Sequence, residues 1–200
     1  MSLLTVEEFD NVSHFPGKLT RKQKKQFRKN NNNSLKLKNV FPKTINQEKA
    51  FDLYNKEYNL LLHGLAGTGK TYISLYLALS DIINGYTDHT NLTLVRSVVP
   101  TRDMGFLPGT EKEKSKVYEA PYMNICNDIF GRGDAYDILK GKNIIKFVTT
   151  SYIRGITLDD SIVLVDEAQN LNFHELDSII TRVGQNCKII FAGDALQTDL

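Results

Sequence analysis

Cysteine is scarce in this 200-residue chain. Cys126 and Cys187 stand far apart, which excludes a disulfide framework and the closely spaced ligand pairs of a zinc site. Long apolar runs are also missing: none approaches the roughly 18 residues that a membrane-spanning helix needs. The N-terminus, MSLLTVEEFD, is acidic and has no secretory pattern. These absences predict a soluble protein of a reducing, cytoplasmic compartment, without membrane contact and with both thiols buried and reduced.

Acidic residues are absent from one stretch. Between Asn11 and Gln47 there are ten Lys/Arg and no Asp/Glu, whereas from Glu48 onward 15 basic residues face 20 acidic ones. The formal net charge of +2 therefore hides a basic arm on an acidic body. Residues 17–40 also carry the run Asn30–Asn33, which ends any helix over Thr20–Lys29, and Phe27 is their only ring. The arm reads as an electrostatic contact for nucleic acid or as a solubilising tail, and it lacks the interleaved aromatics of a stacking platform. The domain boundary falls at residue 40, with an arm at 1–40 and a folded body at 41–200.

The body shows ordered apolar periodicity. Residues 44–55 have helical spacing behind Asn46 as the expected N-cap. The runs 58–63, 91–97, 143–149, 161–166 and 187–193 are β-rich and continuously apolar. Residues 71–84, 122–130 and 173–183 read as helices between them. Five such runs separated by helices predict an α/β fold with a parallel sheet covered on both faces.

Three motifs lie where these strands end. Gly64-Leu65-Ala66-Gly67-Thr68-Gly69-Lys70-Thr71 fits GxxxxGK[ST] directly after a strand and at the start of a helix. There backbone N–H groups and a helix N-terminus converge on phosphate oxygens. Lys70 would reach the β- and γ-phosphates, and the Thr71 hydroxyl would bind Mg²⁺. Ile162-Val-Leu-Val-Asp166-Glu167 ends a second strand on the same sheet edge, with Asp166 for Mg²⁺ and Glu167 for polarising an attacking water. Gly193-Asp194-Ala195-Leu196-Gln197 follows a third strand, with Gln197 suited to orienting water or sensing a γ-phosphate. Gln47, upstream of the phosphate loop, has the amide that pairs with an adenine edge. By spacing alone it is equally a polar residue in a helix's first turn.

The blocks GLAGTGKT, RSVVPTRDMGFLPG (96–109), EKSKVYEAPY (113–122), YIRGIT (152–157), LVDEAQN (164–170) and FAGDALQTDL (191–200) resemble, in this order, the PhoH-like proteins, and the second block resembles their phage-borne branch. The resemblance covers roughly residues 42–200. It implies a RecA-like P-loop NTPase similar to the first half of superfamily 1 helicases, with an additional strand between the strands of the first two motifs. It also implies ATP with Mg²⁺, a link to phosphate starvation, association with RNA, assembly into hexameric rings and, for the phage-borne branch, the host cytoplasm. The site residues it carries over are Gln47 for adenine, Gly64–Thr71 for phosphates and Mg²⁺, Asp166 and Glu167 for Mg²⁺ and water, and Gln197 for the γ-phosphate. Two departures stand out. Arg154-Gly155-Ile156-Thr157 replaces the usual Arg-Gly-Arg-Thr, and the chain stops at Leu200 where relatives continue, so the expected domain lacks its C-terminal end.

The Asp166–Glu167 pair favours hydrolysis over phosphorylation of a small molecule. The seven arginines are scattered, so no Arg-rich kinase lid can be drawn. A P-loop site gains roughly 10³–10⁵ in rate from an arginine finger, and a single domain has no second domain to supply one. The expectation is a homo-oligomer in which Arg102 or Arg154 of a neighbour completes the site, acting on RNA or single-stranded DNA. The alternative is a non-catalytic, nucleotide-switched nucleic-acid-binding module.

Overall fold

The computed structural model describes residues 35–97 and 111–194, with side chains from residue 116 onward in the second stretch. Five strands, β1 (Leu60–His63), β2 (Asn91–Arg96), β3 (Ile145–Thr149), β4 (Ser161–Asp166) and β5 (Lys188–Gly193), form one sheet in the order β1-β5-β4-β2-β3. Every pairing is parallel. The five β-rich runs read from the sequence are these five strands.

Alternation along each strand explains why the apolar runs are continuous. Leu92, Leu94, Ile162, Leu164, Ile190 and Ala192 enter one buried cluster. Their neighbours Val95, Val163, Val165, Ile189 and Phe191 enter a second. Side chains one residue apart point to opposite faces, so a strand buried on both faces shows no polar alternation. Helices α2 (Lys70–Asn84), α3 (Glu111–Phe130) and α4 (Ala135–Gly141) cover the first face, together with Tyr54 of α1 (Ile45–Asn55). Helix α5 (Phe173–Ile180) and the short 3₁₀ turn Thr150–Gly155 cover the second. Coverage of that face is thinner over β5, where Ile189, Phe191 and Gly193 are only half-buried.

Strand β5 lies between β1 and β4, which is the additional-strand plan of a RecA-like P-loop fold. All five strands run the same way, so His63, Arg96, Thr149, Asp166 and Gly193 end on one edge. In open parallel sheets that carboxyl edge is where ligands bind.

Local features differ from the sequence reading in four places. The N-cap of α1 is Thr44, not Asn46. Thr44 has extended backbone and its hydroxyl accepts from the Gln47 N–H at 3.3 Å, which puts Asn46 inside the first turn. Helix α3 starts at Glu111, well before residue 122, and runs through Pro121. Proline removes a single intrahelical bond here, on an exposed position. Leu35 and Leu37 pack on the main core, and the Lys38 N–H donates to the Ile129 carbonyl at 2.9 Å. Residues 35–40 thus belong with the body. Cys126 is buried, which pushes its thiol up to about 12, while Cys187 is only partly buried and donates to the Leu158 carbonyl at 2.8 Å. Among the described residues no helix is long and apolar enough to cross a membrane.

Candidate functional site

The loop Gly64–Gly69 bends from β1 into α2, and Gly69 caps the helix in left-handed backbone (φ 87°), a conformation that costs glycine little. The bend is held from three sides. The Gly64 N–H donates to the Gly193 carbonyl at 3.3 Å, the Thr68 hydroxyl to the Leu65 carbonyl at 2.8 Å, and Gln47 Nε2 to the Thr68 carbonyl at 3.1 Å. Lys70 extends back over the loop, with Nζ donating to the carbonyls of Gly64 at 2.7 Å and Leu65 at 2.8 Å. A polyanion would offer these ammonium protons stronger, charge-assisted partners than carbonyls do.

Asp166 ends β4 one strand beyond β5, and its carboxylate is buried between two hydroxyls. Thr71 donates to Oδ1 at 2.9 Å and Tyr122 to Oδ2 at 3.0 Å. Burial pushes the Asp166 carboxyl up from the ordinary range. The two hydroxyls pull it back, and the adjacent Glu167 charge pushes it up again. Burial likewise raises the Tyr122 phenol, with the Asp166 charge adding to it and Arg96 opposing it. Thr71 and Asp166 provide two hard oxygen donors at the mouth of a cleft of about 270 Å³ lined also by Ala66, Gly67, Lys70 and Glu167. Two protein oxygens leave the rest of an octahedral shell to water and phosphate, which is how Mg²⁺ is usually held. These residues fit Mg²⁺ with a nucleotide polyphosphate.

Glu167 follows in left-handed backbone (φ 51°). Its Oε2 accepts from Gln169 Nε2 at 2.6 Å, while Gln169 Oε1 accepts the Asp194 N–H at 3.0 Å. One amide thus ties the second motif to the end of β5. Gly193 makes room for it, since a Cβ there would stand 2.9 Å from Gln169 Oε1. A second clamp is Glu175 on α5, whose Oε1 accepts from Ser97 at 2.9 Å and Thr150 at 2.5 Å. Its Oε2 accepts the Asn172 N–H at 3.1 Å in a capping box. Burial pushes the Glu175 carboxyl up, but these donors outweigh it and hold the group below its usual range.

The structure therefore brings together Gln47, the loop Gly64–Thr71, Asp166 and Glu167. Gln47 Oε1 accepts the Lys43 N–H at 2.7 Å. An amide has two donors and two acceptor lone pairs, so these two bonds use one donor and one acceptor site of Gln47. Arg154 is exposed in the turn after β3. Strand β3 is the far edge of the sheet, four strand positions from β1, about 19 Å away at the usual interstrand spacing. It therefore does not join this chain's own phosphate loop. Arg102 and Gln197 lie outside the described residues.

Sequence reasoning missed Arg96, Tyr122, Gln169 and Glu175. The first three sit inside the recognised blocks, yet no spacing rule links them to Asp166 or Glu167. The register Arg96↔Asp166 between β2 and β4 places Arg96, the position of α3 places Tyr122, and the end of β5 gives Gln169 its second partner in the Asp194 N–H.

A family model described as PhoH-like protein matches residues 39–200. Protein PhoH2 of Bacillus subtilis is 36% identical over 166 residues, covering 80% of this chain and 37% of the relative. The PhoH-like protein of Bacillus subtilis is 35% identical over 165 residues, with coverages of 82% and 51%. Protein PhoH of Escherichia coli is 33% identical over 141 residues, with coverages of 68% and 39%. The chain spans about half or less of the length of these relatives. With most of its length matched by the family model, this chain belongs to the PhoH-like family.

Proposed function

We propose that the chain binds ATP with Mg²⁺ and hydrolyses it, and that turnover is coupled to RNA or single-stranded DNA. The observation that carries the reading is the 2.9 Å contact between the Thr71 hydroxyl and Asp166 Oδ1 at the phosphate loop. It joins the two hydroxyl and carboxylate groups that a nucleotide-bound cation needs, across 95 residues of chain. Lys70 and the loop N–H groups bind the phosphates, and Gln47 uses its spare donor and acceptor on adenine. Glu167 polarises the attacking water, and Gln197 senses the γ-phosphate. Mg²⁺ would supply charge neutralisation at the β- and γ-phosphate oxygens.

We further propose a homo-oligomer, as a ring, with Arg154 or Arg102 entering a neighbour's site. The distance of Arg154 from its own phosphate loop supports action in trans. The kinship with superfamily 1 helicases and the phage-borne branch belongs to the same reading, as does nucleic-acid contact through the basic arm. The test is ATPase rate with and without RNA for wild type, Lys70→Ala, Glu167→Gln and a chain lacking residues 1–40. The reading predicts RNA-stimulated turnover that both point variants abolish, with stimulation lost in the truncation. Turnover no higher than that of Lys70→Ala under every condition would favour the nucleotide-switched binding module. A strictly monomeric, fully active species in sedimentation with ATP would remove the trans arginine.

A further inference from the structure

Asp166 is held by two hydroxyls of different kinds. Thr71 lines the cleft and belongs to the phosphate loop. Tyr122 belongs to α3 and is fully buried. A buried phenol needs a partner for its O–H, because leaving it unpaired costs free energy. Here the partner is Asp166 Oδ2, at 3.0 Å. The ring is fixed against Phe147, with centroids 5.9 Å apart. Arg96 hydrogen-bonds Tyr122 as well, and its guanidinium lies over the ring of Tyr118, 5.9 Å from the centroid. Tyr118 and Tyr122 are four residues apart and so share one face of α3. The same helix is anchored to α4 by Glu119, which accepts from Tyr136 at 2.7 Å and Lys140 at 2.5 Å. The hydroxyl is therefore presented by a helix that is itself tied to its neighbour.

We propose that Tyr122 is a positioning residue for the cation site: its hydroxyl occupies Asp166 Oδ2, so that Oδ1 alone faces Thr71 and the cleft. Mg²⁺ demands near-ideal octahedral geometry and keeps several waters, so a carboxylate locked with one oxygen forward suits it better than one free to turn. Partners of metal-ligating groups commonly contribute 10–100-fold to metal affinity. The placement of α3 then sets how tightly the site takes Mg²⁺, and by linkage the cation favours this placement of α3.

This rests on the Mg²⁺–nucleotide reading above, and the experiment separates the two. The full chain is titrated with Mg²⁺ at fixed N-methylanthraniloyl-ATP, following fluorescence, for wild type and Tyr122→Phe, with circular dichroism and thermal melting in parallel. Wild-type binding that ignores Mg²⁺ would defeat the site reading itself. Given Mg²⁺-dependent wild-type binding, Tyr122→Phe should need about tenfold more Mg²⁺ for half-saturation, with nucleotide affinity in EDTA unchanged. A purely structural role would lower the melting temperature and leave the Mg²⁺ midpoint in place. Replacing Tyr122 by 4-aminophenylalanine, which keeps a donor at the same point, should restore the midpoint toward wild type. It also provides the test if the phenylalanine variant does not fold. A Tyr122→Phe midpoint within twofold of wild type, or an aminophenylalanine protein shifted as far as the phenylalanine one, would overturn the proposal.

Discussion

Gly193→Ala probes how the candidate site is assembled. The backbone of Gly193 is not in the left-handed region, so the penalty comes from space alone. A Cβ would meet Gln169 Oε1 at 2.9 Å, the Gln169 nitrogen at 3.3 Å and the Ala168 Cβ at 3.4 Å. Two of these neighbours are backbone or Cβ and cannot swing away, so the side chain of Gln169 must move. Gln169 Oε1 is the end of a flexible side chain, so the overpacking itself falls at the low end of the usual range, about 1 kcal/mol. Displacing Gln169 also breaks its bond to the Glu167 carboxylate, and bonds to charged groups contribute about 1.5–3 kcal/mol. A combined loss of about 3 kcal/mol lowers the melting temperature by roughly 6–12 °C for a chain of this size. Differential scanning calorimetry measures it, with Gly141→Ala as control. Gly141 is helical and its added Cβ meets nothing within 4 Å, so that change should stabilise by about 0.5–1 kcal/mol. A Gly193→Ala protein that melts within 2 °C of wild type, or above it, would refute the claim that Gln169 is wedged between the second motif and β5.

Further expectations follow from single groups. Asp166→Asn removes a buried charge, so the nucleotide-free protein should melt at or above the wild-type temperature while Mg²⁺-dependent nucleotide binding disappears. Because the folded-state pKa of Asp166 is raised, wild type should lose stability as pH rises from about 4 through that raised value, and Asp166→Asn should not. Glu175 behaves in the opposite sense: its folded-state pKa is lowered, so its stabilisation is present above about pH 4.5 and is lost as pH falls through the lowered value. Glu175→Gln should be less stable than wild type at pH 7 in chemical denaturation, with the gap closing towards pH 3. Thr44→Ala should cost about 1 kcal/mol through loss of the α1 cap, read by urea denaturation, and should loosen Gln47 beside the phosphate loop.

The elements most legible in the sequence are those whose cause is local. A strand buried on both faces carries a nearly unbroken apolar run, so residues 162–165 and 92–95, interrupted only by the buried Thr93, stand out without any contact information. A loop that wraps phosphate must be glycine-rich and must start a helix, so Gly64–Thr71 declares itself too. The residues that escaped are set by tertiary contact. Tyr122 looks like one more apolar position of a helix until α3 brings its hydroxyl to Asp166. Gln169 becomes informative only when β5 inserts beside β4 and delivers the Asp194 N–H. Glu175 looks like the third position of a capping box, which it is, and its second role on Ser97 and Thr150 depends on where α5 lands. Thr44 is hard to tell from Asn46 as a cap in the sequence, because both side chains suit the role and they stand two residues apart.

The central claim is that Lys70 and the Thr71–Asp166 pair hold a Mg²⁺-bound nucleotide. Isothermal titration of ATP into the full chain, with Mg²⁺ and with EDTA, for wild type and Lys70→Ala, tests it directly. Lys70→Ala removes a charge-assisted contact worth about 1.5–3 kcal/mol. Wild-type binding should therefore be saturable, need Mg²⁺ and weaken at least about tenfold in the variant. No wild-type binding in Mg²⁺, or equal binding by Lys70→Ala, would contradict it.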